Sequence, residues 1–128
     1  SMSSVFYHIT LFDARRERGS VKLKEDLKIY IEKIEKHLRK ETGASVYPDK
    51  ESGGYERGQL VVECPGEVPL KLSSDIIQKH LIDILKKDGW QYGFDITGDR
   101  RNESVAPPEF PVVYFPDKIG REREFQLT

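Results

Sequence analysis

The chain has 128 residues, of which 37% are hydrophobic and 34% are charged, and its formal net charge is -1. This length suits one domain with one hydrophobic core, and the content of large apolar side chains argues against global disorder. The near-neutral charge argues against a strongly basic protein that coats nucleic acid and against a polybasic membrane binder.

The single cysteine, Cys64, cannot form an internal disulfide, which indicates a reducing compartment. No apolar run approaches the roughly 20 residues that span a bilayer, and the N-terminus lacks a signal-peptide core. We therefore expect a cytoplasmic or nuclear protein with no membrane partner. The opening Ser1-Met2 is typical of residues left by tag cleavage, so we expect a domain taken from a larger intracellular protein.

The first predicted element is a strand from Val5 to Phe12, because apolar side chains recur on one face at every second position. The opposite face carries Phe6, His8, Thr10 and Phe12. Both faces thus bear apolar groups, which indicates a central strand whose second face is partly covered or used for contact.

A long helix is predicted from about Lys22 to Thr42, because its apolar residues recur at spacings of three and four. Gly43 supplies the left-handed stop. Next, Ala44 to Pro48 forms a predicted short strand, and Asp49 to Gly58 is interpreted as a mobile loop or hairpin tip. Gln59 to Cys64 is predicted to be a strand that Pro65 ends.

A second helix is predicted to begin at Ser73 or Ser74 and to end before Gly89. Trp90 to Thr97 alternates apolar and polar residues and is predicted to be a half-buried strand. Gly98 to Pro108 is interpreted as a loop, and Val112 to Phe115 as a possible last strand. Residues 3–116 would form a single α+β domain, and residues 117–128 a loosely held charged tail.

This order of elements predicts a two-layer α+β sandwich of the ferredoxin-like βαββαβ plan, with a possible extra C-terminal strand. In that plan both helices cover one face of an antiparallel sheet, and the other face is free. A two-layer fold with another strand order is the alternative.

The sequence contains no recognisable catalytic, metal-binding or cofactor-binding set. His8, His37 and His80 lie on different predicted elements and lack partners at metal-ligand spacing, so we expect no metal and no cofactor. Cys64 alternates with apolar residues and is interpreted as a small buried side chain.

Two basic clusters are candidate sites for anions or nucleic acid: Arg15, Arg16 and Arg18 in one, and Arg100 with Arg101 in the other. Arg57-Gly58 followed by Leu60-Val61-Val62 resembles the start of a signature of RNA-recognition folds. However, Gln59 and Val61 stand where that signature has stacking aromatic residues.

The leading hypothesis is a non-enzymatic protein-interaction or regulatory module. Its partner, a protein or a second copy of the chain, would contact the sheet face that bears Phe6, His8, Thr10 and Phe12. The alternative is RNA binding through the basic clusters. An enzyme would require His8, Asp95 and a loop residue to converge in a pocket.

Overall fold

A computed structural model of the chain describes residues 4–13, 21–65, 74–98 and 101–105. Within these ranges it has five strands and two α-helices. In chain order they are β1 (Val5–Asp13), α1 (Val21–Thr42), β2 (Ser45–Pro48), β3 (Gln59–Cys64), α2 (Ser74–Lys87), β4 (Tyr92–Gly98) and β5 (Arg101–Val105). Neither helix has a stretch of sufficient length and hydropathy to cross a membrane.

The five strands form one antiparallel sheet in the order β2-β3-β1-β4-β5. The predicted α+β class is therefore confirmed. The observed strand order differs from the four-strand ferredoxin-like plan, because β5 adds a fifth strand beside β4. The central strand is β1, as its two apolar faces predicted, and it pairs with β3 on one side and with β4 on the other.

Alternation along β1 determines which side of the sheet becomes the core. Tyr7, Ile9 and Leu11 are at most 3% exposed, and they pack with alternate residues of β3 and β4 under the two helices. Burying side chains of this size contributes about 1.5–3 kcal/mol each, so register on β1 is strongly fixed. The even-numbered residues of β1 consequently face away from the helices.

Both helices bury one apolar stripe against the same face of the sheet. On α1 the stripe is Ile31, Ile34 and Leu38, whose spacing of three and four keeps them on one side of the helix. The stripe of α2 is Ile77, Leu81, Ile84 and Leu85. The helix α1 ends at Gly43, where the backbone is left-handed at φ 70° and the amide donates to the carbonyl of Arg39.

Two expectations about the C-terminal half were wrong. Residues 101–105 form β5, although the polar stretch from Gly98 to Pro108 predicted a loop; β5 is the edge strand of the sheet that the structure describes, and edge strands often carry polar residues. Trp90 was predicted to start β4 but lies in a turn with φ 56°, its amide donating to Leu85. Its ring is nevertheless buried in the core, which offsets the strained backbone. The predicted strand Val112 to Phe115 and the predicted tail 117–128 lie outside the described residues.

The connection between β2 and β3 is an ordered structure. It consists of two consecutive 3-10 turns, Lys50–Ser52 and Gly54–Arg57, where the sequence predicted a mobile loop or hairpin tip. The Tyr55 hydroxyl of the second turn donates to the carboxylate of Glu35 on α1. Glu35 is 6% exposed and also accepts from Arg39, so this side-chain network fastens the connection to the helix layer.

The Tyr55–Glu35 hydrogen bond should contribute measurably to stability. Burial and the neighbouring Glu35 carboxylate raise the pKa of Tyr55 to about 12, so the phenol is a neutral donor at pH 7. Replacing Tyr55 with Phe leaves a buried carboxylate oxygen without its donor, and we expect a loss of about 1.5 kcal/mol in the free energy of unfolding in urea.

Tyr47→Phe is the matched control, because the Tyr47 hydroxyl also donates to a carboxylate, that of Glu63, but at an exposed position. Its cost should stay below about 0.5 kcal/mol. Equal costs for the two variants would show that burial of Glu35 is not what makes the Tyr55 bond important.

Candidate functional site

The face of the sheet opposite the helices, called the helix-free face below, carries a mixture of aromatic and polar side chains. From β1 it includes Phe6, His8, Thr10 and Phe12. Its other members are Ser45 and Tyr47 of β2, Gln59, Val61 and Glu63 of β3, Gly93, Asp95 and Thr97 of β4, and Asn102 and Ser104 of β5. The predicted candidates on β1 therefore share one face, as the alternation required.

A groove of about 600 Å³ lies on this face, on the side of the β2 edge. It is called the sheet-face groove below. Its lining residues are Phe6, His8, Tyr47, Pro48, Asp49, Lys50, Glu51 and Val61. Val61 is only 5% exposed and opposes both Tyr47 and His8 in the strand register, so it forms an apolar floor between them.

The two aromatic residues of the groove are exposed. Phe6 is 44% exposed and Tyr47 is 38% exposed, although both lie on ordered strands. The register explains Phe6: β1 pairs with β3 from Val5 to Thr10 but with β4 only from His8 onward. Phe6 therefore has a β3 neighbour on one side and no β4 residue paired beside it on the other.

A histidine–aspartate pair joins the sheet to the first 3-10 turn. The Nδ1 of His8 lies 3.2 Å from Oδ2 of Asp49 and donates to this carboxylate. The side chain of His8 is 50% exposed, whereas that of Asp49 is 11% exposed. The carboxylate is thus nearly enclosed, while the imidazole remains open to the groove.

The surroundings of Asp49 favour its charged form. Burial by itself would raise the pKa of the Asp49 carboxyl, but the interactions with His8 and Ser52 outweigh burial and lower it below its ordinary value. The Asp49 backbone also accepts hydrogen bonds from the amides of Ser52 and Gly54. One residue therefore organises the turn and orients the His8 ring.

The wall formed by β2 is held by a cross-strand pair. The Tyr47 hydroxyl donates to Oε1 of Glu63 at 3.0 Å. Burial, Glu63 and Asp49 together raise the pKa of Tyr47, so its phenol stays protonated and lies in a field of negative charge.

Outside the sheet-face groove, the helix-free face carries polar pairs that satisfy one another. The Thr10 hydroxyl donates to Gln59 at 2.7 Å, and the Ser104 hydroxyl donates to Asp95. The Phe12 ring lies over Gly93, where an added Cβ would come within 2.6 Å of the ring and of the Val105 carbonyl. This part of the face is consequently filled by its own side chains.

The structure brings together only part of the predicted site. Phe6 and His8 line the sheet-face groove, while Thr10 and Phe12 share its face but lie outside the groove. Arg15, Arg16, Arg18 and Arg100 lie outside the described residues. Arg101 belongs to β5, where its backbone pairs with Gly98, and its side chain is not described. Neither predicted arginine cluster therefore lies within the described side chains.

The groove also includes Tyr47, Asp49 and Glu51, which sequence reasoning missed. His8 and Asp49 are 41 residues apart, and no local pattern links a strand histidine to a turn aspartate. Asp95 was named as a possible partner of His8, but it pairs with Thr10 across β1 and does not line the groove.

Other reactive groups of the described residues offer no second centre. No group of three or more His, Cys, Asp or Glu residues there is arranged to hold a metal ion. Cys64 is buried, and burial raises the pKa of its thiol, which disfavours the nucleophilic thiolate. A smaller cavity of about 300 Å³ lies between the helices beside His37, where Lys33 and Asp88 form an ion pair at 3.0 Å.

Comparison with known proteins adds no assignment: no family model, curated protein or solved structure matches this chain.

The His8–Asp49 pair should stabilise the fold in a pH-dependent way. Because folding lowers the pKa of Asp49, its contribution is complete above the unfolded pKa of about 3.9 and is lost as the pH falls through the lower folded value. We expect Asp49→Asn to cost about 1 kcal/mol at pH 7 and progressively less as the pH falls below 4, measured by urea unfolding of both proteins.

Glu51→Gln is the control, because Glu51 lies two residues away and is exposed. Its effect should stay near zero at both pH values. A penalty for Asp49→Asn that is as large at pH 3 as at pH 7 would show that the carboxylate charge is not the stabilising element.

Proposed function

We propose that this protein is a non-enzymatic interaction module that binds a protein partner through the sheet-face groove. The observation that carries the proposal is the pair of exposed aromatic residues, Phe6 and Tyr47, on either side of the apolar floor at Val61. Exposed aromatic side chains beside a concave apolar floor are typical of residues that supply binding energy at protein interfaces. In this proposal the sheet is the ferredoxin-like plan extended by β5.

Electrostatics favours a protein over a nucleic acid at this surface. Among the described residues, the helix-free face and its groove present the carboxylates of Asp49, Glu51, Glu63 and Asp95. Of the lysines and arginines whose side chains the structure describes, only Lys50 lines the groove. Phosphate groups are repelled by such a surface, because nucleic-acid affinity depends on cationic side chains. RNA binding through the predicted arginine clusters is the alternative.

The chemistry of the groove supports binding more than catalysis. His8 and Asp49 form a pair that could accept a proton, but none of the described serines, threonines or cysteines lines the groove with them. Asp95, which the enzyme hypothesis required beside His8, lies on β4 and does not line the groove. A base without a neighbouring hydroxyl or thiol nucleophile does not define a hydrolytic or transfer reaction.

Site-specific photocross-linking tests this proposal. A photoreactive phenylalanine analogue replaces Phe6 in one protein and Ile29 in the other; Ile29 is 68% exposed but lies on α1, away from the sheet face. We expect discrete protein adducts in cell extract from position 6 and none of the same adducts from position 29. Adducts of the purified chain alone would identify a second copy as the partner.

Competition makes the result specific. An excess of the unlabelled chain should abolish the position 6 adducts, whereas the Tyr47→Ala chain should compete at least about fivefold less well, as expected for loss of one interface aromatic residue. Adducts that disappear on ribonuclease treatment would support the RNA alternative, and equal adduct patterns at the two positions would argue against a binding site on this face.

A further inference from the structure

The sheet-face groove combines apolar surfaces with nearby carboxylates. Val61 and the rings of Phe6 and Tyr47 are apolar surfaces, while carboxylates stand at two positions around them: Glu63 beside Tyr47, and Glu51 on the first 3-10 turn. A ligand that fills this groove must therefore present an apolar stem together with a group that carboxylates and aromatic faces both attract.

Among the described residues, the charge around the groove is negative. Three carboxylates, those of Asp49, Glu51 and Glu63, lie in or beside the groove, and Lys50 is the one described lysine that lines it. The pKa of Tyr47 is raised first by burial and then by the Glu63 and Asp49 carboxylates. The contribution of the two carboxylates is consistent with negative charge near the phenol. A cation gains from this field, and the π-faces of Phe6 and Tyr47 attract cations as well.

Lysine and arginine are the side chains that combine these properties. Their methylene stems cover apolar surface, while their charged ends remain near polar groups. Anionic ligands such as phosphorylated peptides and nucleic acids would meet the same carboxylates unfavourably. A neutral apolar side chain would fit the floor but would leave the carboxylates unused.

We infer that the sheet-face groove binds a lysine or arginine side chain from an extended basic segment of a protein partner, with its stem on Val61 and its charged end between the aromatic rings and Glu51 or Glu63. This inference rests on the proposed function and names the chemistry of the partner. It also assigns opposite roles to two adjacent residues: Glu51 attracts the ligand, and Lys50 repels it.

A titration followed by NMR tests the inference. The probes are acetylated and amidated pentapeptides of the sequence Ser-Val-Xaa-Val-Ser, in which Xaa is Arg, Lys, Gln or Glu, added to the uniformly ¹⁵N-labelled chain. We expect the Arg and Lys peptides to shift the amide signals of Phe6, Tyr47 and Val61, the Gln peptide to bind about threefold or more weaker, and the Glu peptide not to bind. Added salt should weaken the binding of the Arg and Lys peptides.

Charge variants on the two adjacent residues provide the matched control. Glu51→Gln should lower the affinity for the Arg peptide about threefold, because it removes an exposed negative charge. Lys50→Gln should raise that affinity by a similar factor, because it removes an exposed positive charge. The amide spectra of both variants should otherwise resemble that of the parent chain, which shows that the fold is intact.

Three results would overturn the inference. They are equal binding of the Arg and Glu peptides, shifts confined to residues outside the groove, or weaker binding of the Arg peptide by the Lys50→Gln chain than by the parent chain. A uridine oligonucleotide that shifts the groove signals would also overturn it in favour of RNA. If no peptide binds but cross-linking at position 6 persists, the basic-segment inference fails while the proposed function stands.

Discussion

The position of β1 between β3 and β4 is the constraint on which the other features depend. The side chains of Tyr7, Ile9 and Leu11 are enclosed under both helices, so the even-numbered side chains between them must face away from the helices. The two neighbours of β1 are offset along it: β3 pairs with residues 5–10 and β4 with residues 8–13. Each end of β1 therefore has a paired neighbour on one side only.

The two ends of β1, each of which pairs with only one of the described strands, have different surroundings. At the C-terminal end, the Phe12 ring lies on Gly93, which has no side chain to displace it. At the N-terminal end, Phe6 is paired with β3 but with no described residue of β4, and it remains 44% exposed beside the groove. The same residue type on the same face thus contributes to packing in one place and to an open surface in the other. Register and one glycine account for the difference.

The helix layer and the groove are coupled through the β2–β3 connection. Tyr55 fastens the connection to Glu35 on α1, and Asp49 at its start holds His8 on β1. Both contacts are hydrogen bonds to carboxylates, which are stronger than bonds between neutral groups when the carboxylate is enclosed. The groove wall is consequently attached to both layers of the fold, which favours a preformed surface over one that must order on binding.

The sequence predicted the structure correctly where apolar residues recur at a regular spacing because one side of an element is buried. The spacing of Ile31, Ile34 and Leu38 predicted α1, and alternation in β1 identified the two faces of the sheet. Periodicity was uninformative where the structure depends on contacts between distant residues. Four of the five residues of β5 are polar, as is common in a strand at the edge of the described sheet, so this segment resembled a loop. Asp49 could not be assigned to His8, because their contact is created by the pairing of β1 with β3 and of β2 with β3.

The same distinction explains why the functional surface predicted from the sequence and the one proposed from the structure overlap only in part. A basic cluster can be recognised from neighbouring letters in the sequence, and this led to the RNA alternative. An acidic surface assembled from β3 and a 3-10 turn has no such local signature, since Glu63 and Glu51 are separated by most of the β2–β3 hairpin. Net charge did not reveal it either, because a value of -1 for the whole chain averages over opposite local charges. The sign of charge around Phe6 and Tyr47 depends on topology, and that sign is the basis on which a positively charged partner segment is proposed for the groove.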